Sequence, residues 1–268
     1  MGEREPSRES CEESSRESWR GVQVPVGPVP VPEPLREVVG RWGAPAGARE
    51  LPAVWVNAAG GITFPLQGSA VFCKWAPAQM GGHLAAEAQR ARWAIRWLAV
   101  PEVLEHGSCA DGEWLVTRGL PGRTAVDPDW RARPEVAVVS LGRGLRRLHE
   151  ALPVAQCPFD WGVPHRLARA VGDVSGLQHP PPVDRLVVCH GDACAPNTLL
   201  AEDSGEAVAH VDLGGLGVAD RWADLAVATM SLGWNYGPGW DATFLAAYGV
   251  DPDPVRSDYY QALWDVGP

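Results

Sequence analysis

The stretch "VVCHGDACAPNTLL", residues 187–200, places His190, Asp192 and Asn197 in a fixed register among small and apolar residues. The chain has only three asparagines in 268 residues, and one of them follows Asp192 by five positions. A histidine and a carboxylate can move protons, and carboxylate and amide oxygens are the ligands that hard cations prefer. The stretch therefore predicts a reactive site, and its neighbours along the chain indicate which reaction.

A second short motif, "HVDLGGLG", follows and contains Asp212, fifteen residues after Asn197. The first stretch has the H-x-D-x-x-x-x-N spacing of kinase catalytic loops, and Asp212-Leu213-Gly214 stands where kinases place Asp-Phe-Gly. Phosphoryl transfer needs one carboxylate to orient the attacking hydroxyl, and an amide oxygen with a second carboxylate to hold Mg²⁺ against the phosphates. We therefore expect Asp192 to be catalytic, and Asn197 and Asp212 to bind Mg²⁺.

Lys74 is the only lysine among 23 basic residues, and it lies in the strand-like run "SAVFCKW". Its compact charge suits a nucleotide phosphate. Glu87, thirteen residues later and early in the next predicted helix, is the expected partner that holds this lysine in place. The glycine-rich stretch "NAAGG" (57–61) would form the turn over the phosphates, although it lacks the G-x-G-x-x-G spacing.

The hydrophobic pattern predicts an α+β fold with a small sheet first and helices second. Short β-branched and aromatic runs broken by glycine, between 51 and 75 and again after 113, indicate a small antiparallel sheet. Apolar residues at helical spacing dominate the rest. The nucleotide-binding lobe is expected over 35–119 and the catalytic, substrate-binding lobe over 120–268. The predicted helices cover 83–98, 134–150, 219–234, 240–249 and 253–264.

Residues 1–34 are expected to lie outside the fold. The first twenty are mostly Ser, Glu and Arg, a composition typical of disorder. The proline-rich run at 22–34 predicts an extended spacer, or less directly a ligand for a proline-binding module. We therefore expect folded structure to begin near Leu35.

Charge and cysteine content restrict the partners and the compartment. The formal net charge is −10, and eight aspartates against two arginines from Asp212 onward concentrate it at the C-terminal end. This disfavours nucleic acid and favours a cationic small molecule, although a solvated acidic surface would give the same count. The six cysteines form no C-x-x-C pair, and there is no signal-peptide core and no apolar run long enough to span a membrane. A cytoplasmic protein that binds no membrane is expected.

With these motifs in place, the chain resembles the aminoglycoside O-phosphotransferases, antibiotic kinases with the protein-kinase architecture. The resemblance runs from about Leu35 to the C-terminus and rests on "CHGDACAPNTLL", "VDLGGLGVADRWADLA" and the closing "YYQALWD". Within the family, "QCPFDW" (156–161) and the ending after "LWD" look more like the streptomycin 3″-kinases than the kanamycin and neomycin 3′-kinases. The family's Gly-Arg after the metal aspartate is Gly214-Gly215 here, so any contact of that arginine is missing.

The resemblance implies ATP or GTP bound between the lobes, with main-chain contacts from the connector near Thr117 to Gly119. It also implies an acidic acceptor pocket in the C-terminal lobe, with Asp265 as the candidate carboxylate that binds the substrate. The implied reaction is phosphorylation of a streptomycin hydroxyl, which gives antibiotic resistance.

Several other interpretations stay open. Cys189, His190 and Cys194 suggest zinc but lack the spacing of a tetrahedral site. Trp234 and Trp264, with Trp240, could line a sugar pocket or simply pack. Asp220 and Asp224 are expected to brace the catalytic loop or cap a helix. The function could also be that of a metabolic small-molecule kinase, or of a nucleotide-binding pseudokinase that serves as a regulatory module.

Overall fold

The structure is a computed structural model that describes residues 25–57 and 59–267. Residues 1–24, which include the segment predicted to be disordered, therefore lie outside the described residues. Two compact units form: one takes the chain up to Ala85 together with Val103–Gly119, and the other takes Ala86–Glu102 together with the chain from Leu120. A sheet dominates the first unit and helices dominate the second, so the predicted α+β class is confirmed.

The first unit is built on a five-stranded antiparallel sheet in the order β3-β4-β5-β7-β6. Its central strand β5 alternates, because Val71, Cys73 and Trp75 are buried while Phe72 and Lys74 are partly exposed. This period of two places the apolar residues on one face, where they join the core of the unit. The strands are β3 (Trp55–Val56), β4 (Ile62–Leu66), β5 (Val71–Pro77), β6 (Val103–Cys109) and β7 (Gly112–Arg118).

Part of the proline-rich run belongs to this fold, so the expected start near Leu35 is wrong. Strand β1 (Val29–Pro30) pairs antiparallel with β2 (Glu50–Leu51), and the Val31 N–H donates to the Arg49 carbonyl oxygen at 2.8 Å. Val31 is only 2% exposed and lies in the same core as the sheet. Proline is tolerated in such a short edge pairing because little of the ladder depends on its missing N–H. Helix α1 (Arg36–Arg41) follows.

Helix α2 (His83–Ala94) ends four residues before the predicted limit. At its start, the Glu113 carboxylate accepts hydrogen bonds from the N–H groups of Leu84 and Ala85, both at 2.9 Å. At its end, the N–H groups of Trp97 and Leu98 converge on one carbonyl, that of Ala94. The last turn thus tightens and the helical ladder stops.

The second unit is mainly helical. The predicted apolar stripe of α4 is confirmed, since Val138, Leu141, Leu145 and Leu148 are all buried. They pack in a core that α6, α7 and α8 also supply. The helices are α3 (Pro128–Arg131), α4 (Pro134–Ala151), α5 (Val163–Arg169), α6 (Trp222–Tyr236), α7 (Asp241–Tyr248) and α8 (Pro254–Asp265).

Two small antiparallel sheets of this unit position the predicted site. Strand β9 pairs with β12, and β10 lies between β8 and β11. Asp192 follows β9, Asn197 directly precedes β10, and Asp212 follows β11. The three predicted site residues therefore lie in the connections at the ends of these short strands. These strands are β8 (Arg123–Thr124), β9 (Leu186–Cys189), β10 (Thr198–Leu200), β11 (Ala207–His210) and β12 (Gly217–Asp220).

No helix in the described ranges is both long enough and apolar enough to cross a membrane. Five cysteines within these ranges are free thiols, and Cys11 lies outside them.

Candidate active site

The loop that carries Asp192 packs main chain against main chain with the loop that follows Asp212. Gly191 has φ +83°, and a Cβ there would lie 2.0 Å from the carbonyl oxygen of Gly215. Only glycine fits both the left-handed conformation and this approach. The two motifs found in the sequence therefore meet in one place.

The Asp192 carboxylate is held through one of its two oxygens. The Asn197 side-chain amide donates to Asp192 Oδ2 at 3.1 Å and to the Asp192 carbonyl oxygen at 3.0 Å. Asp192 Oδ1 is buried and has no hydrogen-bond partner within the described part of the chain. Burial raises the pKa of the Asp192 carboxyl, and the negative charge of Asp212 adds to the rise, while hydrogen bonds from Cys194 and Asn197 only partly oppose it. The group is therefore more basic than an ordinary aspartate.

Asp212 has an unusual main-chain conformation, with φ 64° and ψ 54°, just before a 3₁₀ turn over Leu213–Gly215. The preceding residue is fixed by His190, whose Nε2 makes a 3.0 Å hydrogen bond with the Val211 carbonyl oxygen. A buried carboxylate oxygen without a partner, next to a second carboxylate that repels it, is the arrangement a divalent cation stabilises. With the Asn197 amide beside them, these oxygen donors fit Mg²⁺.

Asp224, at the start of α6, braces the catalytic loop. Its carboxylate accepts the N–H groups of His190 at 2.6 Å and Gly191 at 2.9 Å, and it contacts His149 Nε2 at 2.9 Å. The other ring nitrogen of His149 lies 2.8 Å from the Tyr248 hydroxyl. Burial acts to raise the pKa of Asp224, but the hydrogen bonds and charge that surround the carboxylate outweigh it and keep the pKa below its usual value.

Of the two predicted roles, bracing the catalytic loop is confirmed for Asp224, whereas the contacts of Asp220 are at the start of a helix. Asp220 Oδ1 accepts the Trp222 N–H at 3.2 Å in the first turn of α6, and Oδ2 accepts the Asp184 N–H at 2.8 Å. Asp224 thus holds the main chain of the catalytic loop, while Asp220 holds the first turn of α6.

Sequence reasoning missed three residues that support the loop: His149, Tyr248 and Trp161. The Trp161 indole N–H donates to the Gly191 carbonyl oxygen at 3.2 Å. One signal was available, because His149 follows Leu145 by four positions and so falls on the buried stripe of α4, where a histidine requires polar partners. Nothing in the sequence pairs it with Asp224, which lies 75 residues further along.

Lys74, Thr117 and Gly119 lie in the first unit. Lys74 occupies the central strand β5, opposite Thr63 of β4 and Leu115 of β7. Thr117 is buried near the end of β7. The Gly119 N–H donates to the Ala70 carbonyl oxygen at 2.8 Å, so this N–H is already engaged within the protein. The predicted main-chain contacts of the nucleotide with this connector stay a prediction.

Glu87 belongs to the second unit. It lies in the first half of α2 and is 5% exposed. Its Cβ lies 4.0 Å from the position that a Cβ on Gly214 would take, so it packs beside the turn that follows Asp212. The pairing of Lys74 with Glu87 stays a prediction.

The glycine-rich stretch forms the tight turn between β3 and β4, except that Ala58 lies outside the described residues. Asn57 Oδ1 accepts the Gly61 N–H at 2.7 Å, and the Gly60 N–H donates to the Asn57 carbonyl oxygen at 3.0 Å. Gly60 has φ +86°, which favours glycine. The asparagine side chain thus closes the turn locally.

The predicted substrate residue Asp265 is exposed and ends α8. The ring centroid of Trp264, the preceding residue, lies 6.1 Å from that of Trp234. Trp240 and Trp264 both pack against the core of the second unit. Partial desolvation by nearby protein atoms raises the pKa of Asp265. The structure thus pairs the rings of two of the three tryptophans, and one of them directly precedes Asp265 in α8.

The zinc alternative is not favoured. Within the described ranges, the metal-ligating side chains that converge are His149, Cys189 and Asp224, which is not the predicted set. Burial raises the pKa of the Cys189 thiol well above its usual value, and the thiol donates to the Asp220 carbonyl oxygen at 3.4 Å. A neutral thiol engaged in this way is a poor zinc ligand.

Comparison with known proteins agrees with this geometry. The family described as phosphotransferase enzymes matches residues 175–259. An aminoglycoside 3′-phosphotransferase of Streptomyces fradiae is 33% identical over 218 residues, covering 70% of this chain and 81% of that protein. Streptomycin 3″-kinase of Streptomyces griseus is 33% identical over 251 residues, covering 79% and 90%.

Among solved structures, aminoglycoside phosphotransferase APH(3″)-Id from Streptomyces rimosus, in complex with ADP and streptomycin, superimposes with a TM-score of 0.62. It is 28% identical, and the match covers 76% of this chain and 90% of that one. The protein-kinase-like fold expected from the sequence is thereby confirmed. By its motifs, its fold and these relatives, the chain belongs to the aminoglycoside phosphotransferases.

Proposed function

We propose that this enzyme transfers a phosphoryl group from ATP to the 3″-hydroxyl of streptomycin and so confers resistance to it. The observation that carries the chemistry is the Asp192 carboxylate, which has one oxygen bound by Asn197 and the other buried without a partner. Such an oxygen is available to a substrate hydroxyl or to a metal ion. The structure's other support is the close contact between the loops of Asp192 and Asp212.

Each residue has one role in this proposal. Asp192 orients the attacking hydroxyl and accepts its proton, which its raised pKa favours and which contributes about 10²- to 10⁴-fold in rate. Asn197 and Asp212 hold Mg²⁺, which when bound neutralises charge on the transferred phosphoryl group. Lys74, supported by Glu87, binds the nucleotide phosphates, and the segment from Thr117 to Gly119 contacts the base. Asp265 takes part in holding the cationic acceptor.

The substrate assignment is supported by charge and by relatives. From Asp212 onward the chain carries eight aspartates against two arginines, which suits an acceptor with two guanidinium groups. Streptomycin 3″-kinase of S. griseus shares 33% identity, and the "QCPFDW" segment that resembles that branch supplies Trp161 to the catalytic loop. The donor in this proposal is ATP, with GTP as the alternative, and the free thiols suit a cytoplasmic location where either nucleotide is available.

One observation favours a second candidate, phosphorylation of the 3′-hydroxyl of kanamycin or neomycin. The S. fradiae 3′-phosphotransferase has the same sequence identity to this chain, 33%, as streptomycin 3″-kinase of S. griseus. A pseudokinase role is disfavoured since every expected metal and lysine position is filled.

The test is to incubate the purified protein with Mg-ATP and either streptomycin or kanamycin, and to measure the drug's mass. A gain of one phosphate on streptomycin alone supports the proposal. A gain of one phosphate on kanamycin alone would show that the substrate is kanamycin and not streptomycin. ATP hydrolysis without modification of either drug would indicate another acceptor. Asp192→Asn should remove turnover while nucleotide affinity is retained, and GTP in place of ATP tests the donor.

A further inference from the structure

Two arginines of the second unit stack on neighbouring aromatic rings. The guanidinium carbon of Arg90, on α2, lies 4.9 Å from the ring centroid of Phe159, and that of Arg166, on α5, lies 4.7 Å from the ring of Trp161. Phe159 and Trp161 flank one residue of an extended segment whose main chain bonds to Val218 from both sides. Side chains two apart on an extended segment share a face, so the two rings that carry these cations project from the same face of the segment.

Arg169 is the third member of this arginine cluster, which consists of Arg90, Arg166 and Arg169. It follows Arg166 by three positions on α5, a spacing that places both on one side of the helix. Burial and then the positive charge of Arg169 lower the pKa of Arg166 to about 10, and the same two causes lower the pKa of Arg90. The charge of Arg169 therefore acts on both of the other guanidinium groups.

No anion of the described chain neutralises the cluster. None of the three guanidinium groups forms an ion pair with a described carboxylate. Asp160 lies between Phe159 and Trp161 in sequence, so its side chain takes the opposite face, where it accepts the Gly162 N–H at 2.7 Å. Cys157 lies near Arg90, but burial raises the pKa of its thiol, which is thus neutral at physiological pH.

Arg166 is the least satisfied member of the cluster. The residue is 9% exposed, and its Nε is buried without a hydrogen-bond partner in the described part of the chain. A buried cationic donor is costly unless an anion or an acceptor satisfies it. Guanidinium groups match the oxygens of tetrahedral oxyanions in charge and geometry.

We propose that Arg90, Arg166 and Arg169 form a binding site for a phosphate-class oxyanion, either inorganic phosphate or the phosphoryl group of a small metabolite. This function goes beyond phosphoryl transfer to the drug and does not depend on it. The bound anion supports the active site through two existing contacts. Arg90 Nε donates to the Leu216 carbonyl oxygen at 2.8 Å, and Trp161, beneath Arg166, donates to the carbonyl oxygen of Gly191 in the catalytic loop.

The test is calorimetric titration of the full-length protein with inorganic phosphate at constant ionic strength. Saturating Mg²⁺ and a non-hydrolysable ATP analogue are present throughout, so that any phosphate subsite of the nucleotide is filled. Phosphate should still bind, and it should raise the melting temperature. Arg169→Gln, at an exposed position, should weaken binding about tenfold, the equivalent of one charge-assisted hydrogen bond. Arg143→Gln, at an exposed arginine of α4 outside the cluster, should bind as the unchanged protein does.

Arg166→Lys provides a second variant that keeps the charge but loses the planar fork and its stacking. It too should bind phosphate more weakly, and its melting temperature in the absence of phosphate reports whether it folds. Phosphate binding that disappears when the ATP analogue is present would overturn the proposal, and so would equal affinity of Arg169→Gln and the unchanged protein. Glycerol phosphate titrated in the same way distinguishes the sources: tighter binding than phosphate supports a phosphorylated metabolite, and weaker or equal binding supports free phosphate.

Discussion

Replacing Gly191 by alanine puts a methyl group into the main chain of the neighbouring loop. The new Cβ would lie 2.0 Å from the Gly215 carbonyl oxygen, while ordinary contact begins at 3.4 Å, so the two loops must separate by about 1.4 Å. The φ of +83° adds about 1–2 kcal/mol for any residue with a Cβ. With the strain of overlap, the total loss of stability is about 2–4 kcal/mol.

The consequence for activity should exceed the consequence for folding. Asp192 is the next residue, so a shift of Gly191 by about 1 Å moves its carboxylate, and a misplacement of that size costs about 10²-fold in rate. We expect kcat to fall at least about 100-fold, while the melting temperature falls by roughly 4–16 °C.

ADP release in a coupled assay, with streptomycin as acceptor, measures kcat, and differential scanning calorimetry measures the melting temperature. Gly47→Ala is the matched control, because Gly47 has φ +71° but no atom within 4 Å of its Cβ position. This variant should lose only the stability that the positive φ costs a residue with a Cβ, about 1–2 kcal/mol, and its kcat should stay unchanged. A Gly191→Ala protein that turns over at the unchanged rate would refute the argument that the contact between the loops positions Asp192.

Lys74→Met should raise the KM for ATP by at least about tenfold through the loss of one charged contact with phosphate, while Lys74→Arg retains part of the affinity. The acid limb of kcat/KM should lie above the usual aspartate pKa of 3.8, because burial and Asp212 raise the pKa of Asp192 and a protonated carboxyl accepts no proton. Cys194→Ala should move this limb to still higher pH, since the thiol's hydrogen bond lowers that pKa. His149→Ala should destabilise the protein by about 3 kcal/mol in urea unfolding, because it leaves the ionised, buried Asp224 without its imidazole partner.

Each of these expectations can fail separately. An unchanged KM for ATP in Lys74→Met would remove this residue from the nucleotide site. An acid limb of Cys194→Ala at lower pH than that of the unchanged protein would reverse the assigned effect of the thiol. A His149→Ala protein that is as stable as His149→Gln and the unchanged chain would show that Asp224 is satisfied by the loop N–H groups alone.

The sequence by itself determined the features that depend on local spacing. The register of Asp192 and Asn197 and the later Asp212 predicted the chemistry, because a metal ion and a hydroxyl require those donors whatever surrounds them. Apolar periodicity predicted the sheet and the long α4, since a buried face must recur every 2 or 3.6 residues. The family could be recognised from these same motifs.

The tertiary structure decided which residues serve the site from a distance. Val31 reads as part of a spacer, yet it is buried, because its partner strand begins about twenty residues later. His149 meets Asp224 across 75 positions. Arg90 and Arg166 lie 76 positions apart in the numbering, and both stack on rings of one extended segment, Phe159 and Trp161. Apolar periodicity and motif spacing depend on the helix, strand or loop in which a residue itself lies. Which surfaces come together depends on packing between distant segments, and no pattern within a single segment encodes it.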